Sequence, residues 1–124
     1  MPQDHSTGAE ANEYGHLMAR RLATILNATS VSDSSSEFSL EGRLITIRCA
    51  RKGTTQVGVT YKMLDRADAV YAAFENKDGI YEVSEMTPAL YRLFMRDSKN
   101  EGKVGLVTRK QFREHGKHVS SIHA

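Results

Sequence analysis

Acidic and basic residues stand at matched places on two neighbouring segments of the sequence, residues 37–41 and 44–52. Both segments have the alternating or continuous apolar pattern of strands, and Glu37 opens the first of them. Side chains two positions apart on a strand share one face, so Thr46 and Arg48 point together toward an acid on the neighbouring strand. Metal-dependent nucleases need such an arrangement, because carboxylates hold a hard divalent cation while a nearby cationic side chain orients the attacking water. The spacing therefore predicts a charged site on a hairpin.

The rest of the chain predicts the elements that position this hairpin. Apolar residues at three- and four-residue spacing predict a first helix over about residues 10–27. Glu41-Gly42 fits a tight turn, because glycine adopts positive φ at no steric cost. Strands are predicted at 38–41, 44–49, 56–61, 69–74, 80–84 and 104–107, with further helices starting at Thr87-Pro88 and at Thr108.

This order of elements predicts an α+β fold in which helices flank a central mixed β-sheet. A chain of 124 residues is long enough for one hydrophobic core. Residues 1–9 are polar and without period, which predicts a flexible arm, and the polar residues 115–124 predict a flexible tail. The expected organisation is a single domain over residues 10–114.

Charge is distributed unevenly along a chain whose net charge is only +2. Residues 1–42 hold six acidic and two basic residues, whereas residues 103–124 hold five basic residues and one acidic residue. If the basic end of the second strand meets the last helix, the two groups would neutralise phosphates without reading bases. The candidate nucleic-acid-binding residues are Arg51, Lys52, Arg109, Lys110 and Arg113.

The hairpin resembles the PD-(D/E)xK restriction-endonuclease-like superfamily, in which a first-strand Asp precedes a Glu-x-Lys on the second strand. A glutamate of the first helix often adds a further ligand in that family. The resemblance covers roughly residues 10–108 and places these three positions at Glu37, at Thr46 with Arg48, and at Glu13. It implies a nuclease fold with DNA as partner, Glu37, Arg48 and Glu13 as catalytic residues, and Mg²⁺ or Mn²⁺ held by Glu37 and Glu13.

The chain departs from that motif at two positions. Thr46 supplies no negative charge, so one metal ligand is lost. Arg48 keeps a positive charge but stays protonated, which makes it a poor substitute for lysine in handling protons. Glu41, Asp33 or Asp68 could fill the place of the missing carboxylate. The sequence favours a nucleic-acid-binding protein of nuclease fold with a degenerate or inactive metal site.

Other interpretations remain open at this point. Glu37 and Arg48 could form an ordinary cross-strand ion pair with no further role. The protein could be an interaction or structural module that forms a homodimer through an apolar face. It could also be an active metal-dependent DNA nuclease with a rearranged site, so the sequence leaves enzymatic activity undecided.

The single cysteine, Cys49, excludes an intramolecular disulfide within this sequence and lies in an apolar strand, where an inert thiol is expected. The first residues lack the charged-then-apolar pattern of a signal peptide. The longest apolar run, residues 69–74, is too short to cross a bilayer. We therefore expect a cytoplasmic protein with no membrane partner.

Overall fold

The computed structural model describes residues 2–31, 36–98 and 103–123, and within these ranges it describes side chains from Tyr14 onward. They form a mixed six-stranded sheet, a second three-stranded sheet and helices packed against both. The α+β fold with a central mixed sheet flanked by helices is therefore confirmed.

The described helices and strands follow the predicted order closely. The helices are α1 (Pro2–Ile25), α2 (Tyr61–Arg66), α3 (Pro88–Phe94) and α4 (Arg109–His115). The strands are β1 (Thr29–Ser30), β2 (Glu37–Leu40), β3 (Arg43–Ala50), β4 (Gln56–Thr60), β5 (Ala69–Lys77), β6 (Ile80–Met86), β7 (Arg96–Asp97), β8 (Val104–Thr108) and β9 (Lys117–His123).

The six-stranded sheet has the order β1-β2-β3-β5-β6-β9, and the three-stranded sheet has the order β4-β8-β7. Strands β3 and β5 are parallel, whereas the other neighbours in both sheets are antiparallel. A parallel pair needs a crossover connection, and β4 together with α2 supplies it. The chain therefore leaves the large sheet directly after β3 and returns to it at β5.

Strand β5 lies at the centre of the core, and every residue from Ala69 to Phe74 is buried. Its alternate residues face two apolar clusters. Tyr71 packs with Leu22 of α1 on one face, and Val70 packs with Tyr91 of α3 on the other. Burial on both faces explains why this segment reads as a continuous apolar run and not as an alternating one.

The hairpin of β2 and β3 forms at the predicted turn. Glu41 and Gly42 both have positive φ, at 52° and 79°. The glycine fits this conformation because it has no Cβ to clash with the backbone. The turn sets the register in which Glu37 lies opposite Thr46.

Regular secondary structure extends beyond the predicted ends of the domain at both termini. Within the tail predicted over residues 115–124, Lys117–His123 form β9, which pairs with β6 at the edge of the large sheet. Ile122 explains this pairing, because its side chain is buried in the core facing α1. Residues 2–9, predicted as an arm, belong to α1, although their side chains lie outside the described part. No described helix combines the length and apolar character needed to span a membrane.

Candidate functional site

The hairpin brings the predicted site residues of β2 and β3 onto one face of the sheet. Glu37 and Thr46 are directly opposite each other across the two strands. Residues directly opposite in an antiparallel pair share a face, and Arg48 lies two positions farther along β3. The structure therefore brings Glu37, Thr46 and Arg48 together as the spacing indicates.

The carboxylate of Glu37 is bound by Arg66 of α2. One Glu37 oxygen accepts hydrogen bonds from Arg66 NH2 at 2.7 Å and from Arg66 Nε at 3.2 Å. Among the described side chains no ion pair joins Glu37 to Arg48. The interpretation of Glu37 and Arg48 as a cross-strand ion pair is therefore wrong. Glu37 pairs with Arg66 of α2 instead. Glu37 still favours the charged form of Arg48 through space.

The position of the second carboxylate is occupied by a neutral, fully buried side chain. Thr46 has no solvent exposure, and its Oγ1 has no hydrogen-bond partner among the described residues. The structure thus places an unsatisfied hydroxyl where the resembled motif has a metal ligand. An uncharged oxygen attracts a hard divalent cation much less than a carboxylate does.

Neither described acid that could replace this carboxylate is free to do so. Asp68 accepts a hydrogen bond from the Leu44 backbone N–H at 2.9 Å and lines a different cleft, with Arg43. Glu41 lies exposed in the turn at the other end of the hairpin. Asp33 falls outside the described residues.

The described residues therefore fit a divalent metal poorly. Of the predicted ligands they supply Glu37 alone, and Arg66 already binds it. In the part of the chain that the structure describes, no group of three His, Cys, Asp or Glu side chains could hold a metal ion. Glu13 lies in α1, within the stretch whose side chains are outside the description.

A small cleft lies beside Arg48, with a volume of about 220 Å³. His16 lines it from α1, Ser36 from the start of β2, and Gln56 from β4. Among the side chains that the structure describes, none of those lining this cleft, hereafter the Arg48 cleft, is acidic. It is therefore a pocket of positive and hydrogen-bonding character.

The Arg48 cleft exists because β2 is shorter than β3. The backbone N–H of Ile47 donates to the Ser36 carbonyl at 3.1 Å, and this is the last bond between the two segments in the described residues. Strand β3 continues to Ala50 with α1 on one face and β4 on the other. The gap between these elements forms the cleft.

The guanidinium of Arg48 is incompletely satisfied within the described part of the protein. Its Nε is buried and has no hydrogen-bond partner there. Burial lowers the pKa of Arg48, because removal from water disfavours the charged form, while Tyr91, Cys49 and Glu37 partly offset this effect. A partly desolvated cation of this kind favours an anion as its neighbour.

Sequence reasoning missed His16, Ser36 and Gln56. His16 follows Glu13 by three residues on α1, and helix neighbours at that spacing share a face, so this signal was readable. Ser36 directly precedes Glu37 and has its Oγ 3.4 Å from His16 Nδ1. Gln56 gave no signal, because only the folding of β4 beside β3 brings it to the cleft.

Cys49 agrees with the expectation of an inert thiol. It is half-buried, and burial raises the pKa of its thiol to about 12. A thiol with so high a pKa carries almost no nucleophilic thiolate at neutral pH. Cys49 is therefore no candidate for a nucleophile.

The two basic groups of the sequence meet around Glu75 of β5. The backbone N–H of Lys52 donates to Glu75 Oε1 at 3.0 Å, and Arg109 NH2 donates to the Glu75 carbonyl at 3.1 Å. The backbone N–H of Arg109 also donates to the Thr55 carbonyl at 2.8 Å. The turn after β3 and the first turn of α4 are thus adjacent.

We call Arg51, Lys52, Arg109 and Lys110 the basic rim. The guanidinium of Arg51 lies over the Tyr14 ring at 4.0 Å, and Lys52 Nζ pairs with Asp78 at 2.8 Å. Lys110 has a side chain that is 83% exposed. Arg113 is left outside this group, because its guanidinium binds Glu82 of β6 with an Nε–Oε1 distance of 3.1 Å.

Comparison with known proteins identifies no family whose model matches this chain. No curated protein matches it either. The Arg48 cleft and the basic rim are therefore the features from which a function can be inferred.

Proposed function

We propose that this protein binds the phosphate backbone of DNA through the basic rim and carries a degenerate metal site that does not support cleavage. The observation that carries this proposal is the meeting of Lys52 and Arg109 at Glu75. Two basic segments far apart in the sequence thereby form one surface beside the Arg48 cleft. The resemblance of the Glu37 hairpin to the PD-(D/E)xK superfamily supports the same proposal.

The ion pairs of the basic rim are weak enough for a phosphate to replace them. Lys52 and Asp78 have side chains that are 57% and 91% exposed, and such exposed pairs contribute little because water and salt screen their charges. Lys110 is 4.0 Å from Glu114, which is a loose contact. A DNA strand at this surface therefore gains phosphate contacts at little loss of internal interactions.

The contacts expected from this surface recognise the shape and charge of the nucleic-acid backbone and not the base sequence. The rim offers arginine and lysine side chains, which contact phosphate oxygens and position a nucleic acid without identifying its bases. The aromatic rings near it are already in use, since Arg51 covers Tyr14 and Arg109 lies 5.4 Å from the Phe74 ring centroid. We therefore expect binding with little sequence preference.

The rim is tested by a double variant, Lys52→Gln with Lys110→Gln, in fluorescence-anisotropy titrations of a labelled duplex. Each lost phosphate contact should weaken binding uniformly across sequences and lower the salt slope by about 1, so the double variant should lower it by about 2. The matched control is Lys62→Gln with Lys117→Gln, which removes the same charge from exposed positions away from the rim. Equal weakening by both pairs would contradict a rim-specific contact.

A further inference from the structure

We infer that the Arg48 cleft is a binding site for one phosphate-sized oxyanion, held directly by the Arg48 guanidinium without a divalent cation. The inference deepens the proposed function and rests on it for the source of the phosphate group, here a phosphate of the bound nucleic acid. Anion binding by the cleft itself does not depend on that source. Nothing in the basic rim is needed for it.

The donors of the Arg48 cleft suit a tetrahedral oxyanion. A guanidinium presents a rigid fork of N–H donors that matches phosphate oxygens, and Arg48 lines the cleft. Its Nε is buried and has no partner among the described residues, which leaves the terminal NH₂ groups as the donors for an anion in the cleft. Gln56 Oε1 accepts a hydrogen bond from Arg96 NH2 at 3.0 Å, which leaves the amide NH₂ of Gln56 as its donor group. Ser36 adds a hydroxyl to the lining.

Arg96 also brings a second positive charge close to the cleft. It reaches the lining through Gln56 and belongs to β7, at the edge of the small sheet. An anion in the cleft would therefore be attracted by two guanidinium groups, one bonded directly and one through an amide. This arrangement is local to the cleft and separate from the rim.

The size of the cleft limits the ligand. Sites for small organic molecules and cofactors usually have about 300–1,000 Å³, and this cleft has about 220 Å³. The cleft therefore suits a single phosphate group better than a complete nucleoside.

Electrostatics favour an anion over a metal ion in this place. No described side chain of the lining is acidic, and Glu37, the acid that acts on Arg48, is bound to Arg66. A divalent cation beside Arg48 would meet repulsion without the carboxylates that hold such ions. In this proposal the anion balances the positive charge of Arg48 directly, and no carboxylate-bound metal ion is needed.

The test is an NMR titration of the full chain, ¹⁵N-labelled at arginine, with inorganic phosphate in the presence of EDTA. We expect a saturable shift of the Arg48 Nε–Hε signal, assigned by its disappearance in Arg48→Lys, and a smaller, non-saturating shift for Arg51. Gln56→Leu should weaken phosphate binding by about tenfold, the typical loss for one hydrogen bond to a charged group. This second variant leaves Arg48 in place, so its effect does not depend on whether the Arg48 variants fold.

Three results would overturn the inference. These are the absence of a saturable shift, an unchanged affinity in folded Gln56→Leu, and binding that appears only when Mg²⁺ replaces EDTA. The basic rim is tested separately, because Lys52→Gln with Lys110→Gln should keep phosphate binding while weakening DNA binding. Phosphate binding in a protein that does not bind DNA would remove the proposed function and leave the cleft site standing.

Discussion

Glu37 occupies the position of a metal-binding acid, yet its contacts are those of a structural residue. Arg66 donates two hydrogen bonds to one of its oxygens, and the side chain is only 13% exposed. Removal of Glu37 would leave Arg66 without this partner and Arg48 without a stabilising charge. Its replacement is therefore expected to affect stability and anion affinity more than any catalytic step.

A plasmid-nicking assay tests this interpretation at the residue scale. Wild-type protein and Glu37→Ala are incubated with supercoiled plasmid and Mg²⁺ or Mn²⁺. Because Thr46 supplies no charge and Glu37 is already bound, we expect no nicking above the buffer control by either protein. Metal-dependent nicking by the wild type that disappears in Glu37→Ala would establish a rearranged active site, and the degenerate-site proposal would then fail.

At the scale of elements, the β2–β3 hairpin was predictable because its signals are local. Alternation marks β2, the apolar run marks β3, and Glu41-Gly42 specifies the turn. The residues that complete the site come from elsewhere in the chain. Arg66 reaches Glu37 across 29 positions, and local pattern does not encode which element folds back onto the hairpin.

Strand β9 shows the same limit. Its sequence is polar, with burial confined mainly to Ile122, so its residues resemble a tail when read alone. The strand forms because β6 offers a hydrogen-bonding edge in the order β5-β6-β9. That edge is a property of the assembled sheet. Edge strands with few apolar residues are therefore difficult to predict from hydrophobic pattern alone.

Two glycine-to-alanine substitutions, one in the hairpin turn and one in α1, are expected to change the free energy of unfolding in opposite directions. Gly42→Ala places a Cβ on a residue with φ of 79°, which should lower the free energy of unfolding by about 1 kcal/mol. Gly15→Ala in α1 meets no atom within 4 Å and should raise it by about 1 kcal/mol, because alanine favours helix. Urea denaturation of the two variants measures both changes. Equal signs would show that one of these two conformations is misassigned.

At the scale of the whole molecule, the fold turns a dispersed charge pattern into one surface. The sequence predicted the two basic groups, but it did not show whether they lie next to each other in the fold. The structure joins them because β5 carries Glu75 between the turn after β3 and the start of α4. The Arg48 cleft is lined by residues of β3, the strand that leads into that turn. The location of the proposed binding surface thus depends on sheet order, which no single segment of the sequence specifies.

The most direct measurement is the salt dependence of duplex binding by the wild-type protein. Four basic residues of the rim, each neutralising about one phosphate, predict that the logarithm of the affinity falls against the logarithm of salt concentration with a slope of about −3 to −4. Anisotropy titrations between about 50 and 200 mM salt determine this slope. A steep slope that becomes shallower in Lys52→Gln with Lys110→Gln is the expected result. Absent binding, or binding that does not change with salt, would contradict a phosphate-binding function.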